Sequence, residues 1–190
     1  MAIKLEIKNL YKIFGEHPNR AFKYIEKGLN KAQILEKTGL SLGVKDASLA
    51  IEEGEIFVIM GLSGSGKSTL FHLILGFLQP DSGGIYVDDV LLSADKLVSW
   101  RSRIGYVSQQ LFMVEGTLLD NIVMGYNSEH PDMERIDRVL RLASLNHFVG
   151  SLPKGVYTPV GEGGSLLSGG QRQRLGIARA LYKEAEILMF

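Results

Sequence analysis

The sequence predicts an α/β fold. Three observations carry that expectation. A short apolar run, Glu55–Met60, leads into a glycine-rich loop and then an apolar helix. Strand-like and helix-like segments alternate along the 190 residues. Glycine, at 22, is the one compositional outlier, and its clusters fall where two helices begin.

The elements follow in order. Ile3, Leu5 and Ile7 alternate with Lys4, Glu6 and Lys8, the period of a strand with one wet face. Residues 18–42 read as a helical insertion. Phe22, Ile25, Leu29, Ile34 and Leu35 recur at helical spacing, Asn30 can cap a second short helix and Gly39 can end it. Val44, Ala47, Leu49 and Ile51 suggest a strand closed by a turn at Glu53-Gly54. Glu55–Met60 suits a strand buried on both faces. A helix is expected from about Lys67 to Leu78, then a turn over Gln79–Gly83. Ile85–Leu92 and Arg103–Ser108 read as strands. Gly116–Gly125 and Pro131–Leu145 read as helices, the second with Met133, Ile136, Val139, Leu140 and Ala143 on one face. Ser168–Tyr182 reads as a helix with a glycine-rich start, and Glu186–Phe190 as a strand.

Composition excludes several function classes. Lys plus Arg equals Asp plus Glu, at 21 each, which argues against a nucleic-acid or anionic-membrane footprint. With no Cys there is no disulfide, no thiolate metal site and no thiol nucleophile. His17, His72, His130 and His147 lack metal-ligand spacing. The charged start has no signal-peptide core, and the longest apolar stretch, Leu70–Leu78, is too short to span a bilayer and contains His72. The expectation is a soluble, cytoplasmic domain large enough to bury its own core.

Residues 61–68, Gly-Leu-Ser-Gly-Ser-Gly-Lys-Ser, fit G-x-x-x-x-G-K-[ST] between the apolar run and a helix. A polyphosphate needs many N–H donors converging on its oxygens, and glycines let a backbone curl that tightly. The helix start adds unpaired N–H groups and its dipole. Lys67 supplies a point charge to the β/γ oxygens, and the Ser68 hydroxyl can coordinate Mg²⁺. A glycine-rich turn opening a helix is the bland alternative.

The second cluster, Leu167-Ser168-Gly169-Gly170-Gln171, precedes Arg172-Gln173-Arg174 and an Ala/Leu-rich helix. Two readings stand: a serine N-cap with a flexible helix start, or a second anion site. The residues alone leave both open.

The two clusters together make the chain resemble the ATP-binding subunits and domains of ABC transporters, over nearly its whole length. Leu167–Gln171 matches that family's signature motif. The resemblance implies a P-loop NTPase of ABC type, with a central sheet, an antiparallel β subdomain and a helical subdomain carrying the signature. Residues 1–190 would form a single, partial ATP-binding domain, incomplete at the C-terminus. It implies ATP and Mg²⁺ as ligands. Gly61, Ser63, Gly64, Ser65, Gly66, Lys67, Ser68 and Thr69 would hold the phosphates. Lys67 and Gln109 would be catalytic, and Ser68 and Gln109 would face the Mg²⁺, with Gln110 as the competing alignment for Gln109. Phe14 sits where an aromatic stacks on adenine, with a core aromatic as the alternative. Leu167, Ser168, Gly169, Gly170 and Gln171 would contact ATP on a second such domain in a head-to-tail dimer. A transmembrane permease would be the other partner, placing the chain at the cytoplasmic face of the membrane.

Two departures stand out. Residues 1–69 resemble the ATP-binding subunits of glycine betaine/proline importers, insertion included. From Leu70 onward the pattern resembles export-type domains, notably Tyr106–Gln109, Gly116–Ile122 and Thr158–Gly164. A chain joining two such genes is the expectation, with a divergent natural importer as the alternative. Second, the family follows an apolar strand such as Ile187–Phe190 with an Asp for Mg²⁺ and a Glu that polarises water, and these lie past residue 190. The expectation is weak ATP binding without turnover, with an unpaired sheet edge and poor solubility. The alternatives to a transport ATPase are a nucleotide-binding fragment and a non-transport ABC ATPase. The charged face of Pro131–Leu145 reads most simply as a solvated helix face. Glu162 reads either as a helix-flanking charge or as part of the export-like segment before the signature. Arg172 and Arg174 either help the signature helix attract phosphate or are ordinary exposed helix arginines.

Overall fold

The structure, a computed structural model, describes residues 3–108, 111–124 and 130–190. It divides into two compact units, one ending at Arg101 and the other beginning at Ser102.

The first unit is built on an antiparallel sheet. Strand β1 (Ile3–Phe14) pairs with β2 (Ser41–Glu52), placing Ile7 opposite Leu49 and Phe14 opposite Ser41. β1 buries Leu5 and Ile7 at period two, then changes phase. Asn9 adopts φ 45° and the register shifts, so that Leu10 and Ile13 are the next buried residues. Asn9 is held there by Ser48 and Asp46, through its N–H and its side-chain amide. Between the strands lie a 3₁₀ turn (Pro18–Ala21), α1 (Phe22–Glu26) and α2 (Lys31–Thr38), the helices expected of the insertion. Asn30 and Gln33 form a capping box, and Gly39 ends α2 at φ 70°. Ile34 is fully buried with Ile13, Ala21, Leu40 and Leu42.

Next come α3 (Lys67–Ile74), β3 (Ser82–Val87), β4 (Val90–Leu91) and α4 (Leu97–Ser102). The sheet order is β2-β1-β3-β4. Helix α3 stops at Ile74 rather than Leu78, because Gly76 turns left-handed (φ 69°) and the Phe77 and Leu78 N–H groups fold back to the His72 carbonyl. The expected single strand Ile85–Leu92 is a hairpin. Asp88 and Asp89 both take positive φ, 48° and 62°, which suits the two-residue turn between twisted strands.

The expected buried strand Glu55–Met60 does not form. The run is irregular, with Ile56 91% and Met60 86% exposed. A strand buried on both faces needs ladder partners and covering layers, and in this unit's sheet no strand pairs with the run.

In the second unit β5 (Ile104–Tyr106) pairs in parallel with the terminal strand, placing Gly105 opposite Leu188. The helices are α5 (Leu118–Val123), α6 (Met133–Leu142), α7 (Asn146–Gly150) and α8 (Gly169–Tyr182), and the strand is β6 (Ile187–Met189). Leu118, Ile122, Ile136, Leu145 and Leu175 form the centre of its core. Helix α6 ends three residues before the expected Leu145, with Ser144 left-handed beyond it. Its apolar face holds at Ile136, Val139, Leu140 and Ala143, whereas Met133 is 43% exposed.

The one fully buried polar residue among those described is Asn121. Its amide donates to the carbonyls of Val114 and Thr117, and its oxygen accepts from Val114 N–H and from Arg179. Arg179 on α8 also donates to the carbonyls of Asn121 and Phe112, at 2.8 and 2.9 Å. Burial lowers the Arg179 pKa, and these acceptors offset the lost solvation. Hydrogen bonds from the Thr117 N–H and hydroxyl hold the Asp120 carboxyl below the usual carboxylate range. Its contribution to stability is therefore complete above the ordinary Asp pKa and is lost as pH falls through the lowered one.

Asn121→Ala should lower unfolding stability by about 2–4 kcal/mol, because it strands buried backbone groups and one face of the Arg179 guanidinium. Urea denaturation followed by far-UV circular dichroism measures the loss.

Candidate functional site

The loop before α3 is built by glycines. Gly64 and Gly66 take φ of 76° and 99°, and Gly66 is the residue at which α3 begins. Ser65 N–H closes the curl on the Leu62 carbonyl at 3.2 Å. At Gly61, an added Cβ would lie 2.7 Å from Ser65 Oγ. The Lys67 ammonium sits inside the curl. It donates to the Gly61 carbonyl, to the Leu62 carbonyl at 2.9 Å and to Ser65 Oγ at 3.4 Å. Lys31 from α2 reaches the far side, donating to the Gly64 carbonyl at 3.2 Å.

Helix α3 differs from α2, α5 and α8 at its start. Those three carry capping boxes through Asn30, Thr117 and Ser168. Gly66 provides no side-chain cap. The first-turn N–H donors of α3, like those of the short α1 and α7, therefore lack the acceptor that side chains supply at α2, α5 and α8. Ser68, on that turn, is exposed. This is an arrangement for a multiply charged anion.

The loop is fixed to the sheet by backbone contact. A Cβ on Gly66 would fall on the Gly43 carbonyl oxygen of β2. A Cβ on Gly43 would in turn lie 2.6 Å from the Phe14 ring and 3.1 Å from Thr69 Cγ2. Phe14, 39% exposed as a residue, is thereby brought beside Thr69 at the loop. The Lys12 ammonium lies 5.9 Å from the ring centre and is tied to Asp81 at 3.1 Å. Asp81 also accepts from Ile13 N–H at 2.7 Å, which anchors this end of β1. Phe14 is thus a half-open aromatic face rather than a core residue.

In the second unit, Ser168 and Gln171 satisfy each other: Ser168 Oγ accepts from Gln171 N–H, and Gln171 Oε1 accepts from Ser168 N–H. Leu167 is buried and Arg172 donates to its carbonyl at 2.6 Å. The Ser168 oxygen acts as an acceptor within the box, so its own O–H is left to donate outward. Gly169 and Gly170 are exposed, and a Cβ on Gly170 would meet nothing within 4 Å. Packing within this chain does not demand glycine there. The N-cap reading and the anion-site reading are compatible in this geometry.

Gln109 and Gln110 lie outside the described residues. Sequence reasoning missed Lys31, whose spacing to the loop follows no local motif. It also missed the Asn121–Arg179 network, which joins segments 58 residues apart. Among the described residues, no group of three or more His, Asp or Glu could hold a metal, and no helix is long and apolar enough to cross a membrane.

Comparison with known proteins places these features. A family model described as ABC transporter matches residues 44–190. The glycine betaine/proline betaine transport system ATP-binding protein ProV of Escherichia coli is 52% identical over 199 aligned residues, covering all of this chain and 47% of that protein. An ATP-dependent lipid A-core flippase of Bordetella avium is 44% identical over 146 residues, covering 77% of this chain and 24% of the flippase. The structure of a bacterial Atm1-family ABC exporter with ATP bound matches with a TM-score of 0.78 at 28% identity, over 98% of this chain and 28% of that one. The chain spans about half the length of ProV.

Gly66→Ala should destabilise the first unit by about 1–3 kcal/mol, from the left-handed φ alone, and more if the loop cannot move off Gly43. Thermal denaturation, with near-UV signals for the Phe14 surroundings, reads both effects.

Proposed function

The chain belongs to the ABC transporter family, and from that premise we propose that it is the ATP-binding part of a membrane transporter. The observation that carries the reading is the uncapped start of α3, with the Lys67 ammonium centred in the glycine curl before it.

Each residue has a physical role. The N–H groups of the loop and of the first α3 turn face the β- and γ-phosphates of ATP. Lys67 exchanges its carbonyl partners for phosphate oxygens, a charge-assisted contact stronger than the one it leaves. Phe14 offers its open ring to adenine, within reach because Gly43 has no side chain. Mg²⁺ suits this site, because it takes few protein ligands and keeps phosphates and waters, and the exposed Ser68 hydroxyl is of the right kind. When bound, it neutralises phosphate charge.

The signature segment serves a second domain. The Ser168 O–H and the exposed start of α8 would meet the γ-phosphate of ATP held on the facing copy. ATP then joins two domains, and its cleavage removes the contact. A permease at the cytoplasmic face of the membrane would convert that closing and opening into transport. The capped α8 start and the uncapped α3 start fit this division, with α3 holding its own nucleotide and α8 reaching a neighbour's.

Titration with a fluorescent ATP analogue and Mg²⁺ tests the reading. Lys67→Ala should weaken binding about ten- to hundredfold, the worth of a lost charge-assisted contact. Phosphate release in the same samples separates an ATPase from a chain that only binds. Gly170→Glu should leave single-chain binding intact and abolish ATP-dependent dimers, measured by light scattering. Wild-type chain without ATP affinity would refute the proposal.

A further inference from the structure

The helical insertion touches the loop through one side chain. Lys31 lies on the first turn of α2 and donates to the Gly64 carbonyl across 33 residues of sequence. Its placement is built. The Asn30–Gln33 capping box fixes where α2 begins, with hydrogen bonds of 2.9 and 3.0 Å. One turn further on, Ile34 is fully buried against Ile13 of β1 and Leu42 of β2. These two residues pair with each other and directly precede Phe14 and Gly43, which abut the loop and α3. The helix that carries Lys31 and the loop it touches therefore share one support.

The target is a peptide plane whose N–H end is held by the long Ser65-to-Leu62 bond of 3.2 Å and whose carbonyl end Lys31 holds. Gly64 has φ 76° and nothing within 4 Å of where a Cβ would be, so side-chain packing does not fix the loop there. The Gly64 carbonyl and the Ser65 N–H belong to one plane and point in opposite directions. An ammonium on the carbonyl fixes the direction of that N–H and adds a positive charge beside that of Lys67.

We propose that Lys31 is a positioning residue of the phosphate loop, through which the insertion raises affinity for a nucleoside polyphosphate. This rests on the reading of the loop as an ATP site. Lys31 acts on the loop backbone from outside and takes no part in bond cleavage.

The test uses the full chain, with Mg-ATP and AMP as probes. Lys31→Met should weaken Mg-ATP about two- to fivefold, as expected for one exposed charged contact. The melting temperature should be unchanged, and AMP, with a single phosphate, should be affected less. Lys31→Arg should restore most of the affinity. Hydrogen exchange at Ser65 N–H should quicken in Lys31→Met without any nucleotide. Unchanged Mg-ATP affinity or unchanged Ser65 exchange in Lys31→Met overturns the proposal. So does a melting temperature that falls along with affinity, because that is the mark of a structural role. If Lys67→Ala binds Mg-ATP as well as wild type does, the loop reading fails, and this inference with it. A weakened Lys67→Ala beside an unaffected Lys31→Met removes this inference alone.

Discussion

The first unit depends on a contact between two backbones. Gly66 can open α3 this close to β2 only because it has no side chain, whose place the Gly43 carbonyl occupies. Gly43 is bare for its own reason, since the Phe14 ring and the Thr69 methyl stand where its Cβ would go. Two missing side chains thus bring one strand, its neighbour and a helix start to a single point. That point gathers what a nucleotide needs: an aromatic face, uncapped N–H donors and an ammonium. Each part is ordinary alone, and the convergence carries the chemistry.

The second unit solves a different problem with polar groups. Asn121 is fully buried, and its amide makes every bond it can with the segment from Val114 to Thr117 and with Arg179. A buried amide and guanidinium are costly unless satisfied, so the network admits one arrangement of that segment against α8. The helix whose first turn displays Ser168, Gly169 and Gly170 is thereby fixed from its last turn. Its start is then free to be glycine, because order comes from elsewhere.

What was legible in the sequence was local. Helix caps at Asn30 and Ser168, the left-handed end at Gly39 and the loop over 61–68 are set by residues within a few positions of one another. The first strand and the insertion helices followed from period and punctuation, whereas the antiparallel sheet was an implication of the family resemblance. Glu55–Met60 shows the limit. Its apolar composition states a wish to be buried, while burial depends on strands that composition does not name. Asp88-Asp89 shows another, because a two-residue turn without glycine hides inside a strand-like pattern. Of the site, the loop residues and the signature start were readable as candidates. Lys31 and the Gly43 contact were not, since both depend on pairings 20 or more residues apart.

Backbone amide NMR of the chain during titration with Mg-ATP tests the central claim most directly. The account predicts saturable shifts at Gly61, Gly64, Gly66, Lys67 and Ser68, together with Gly43 and the Phe14 ring protons, all following one binding curve. Shifts confined to other residues, or a loop that responds while Gly43 and Phe14 do not, would contradict it.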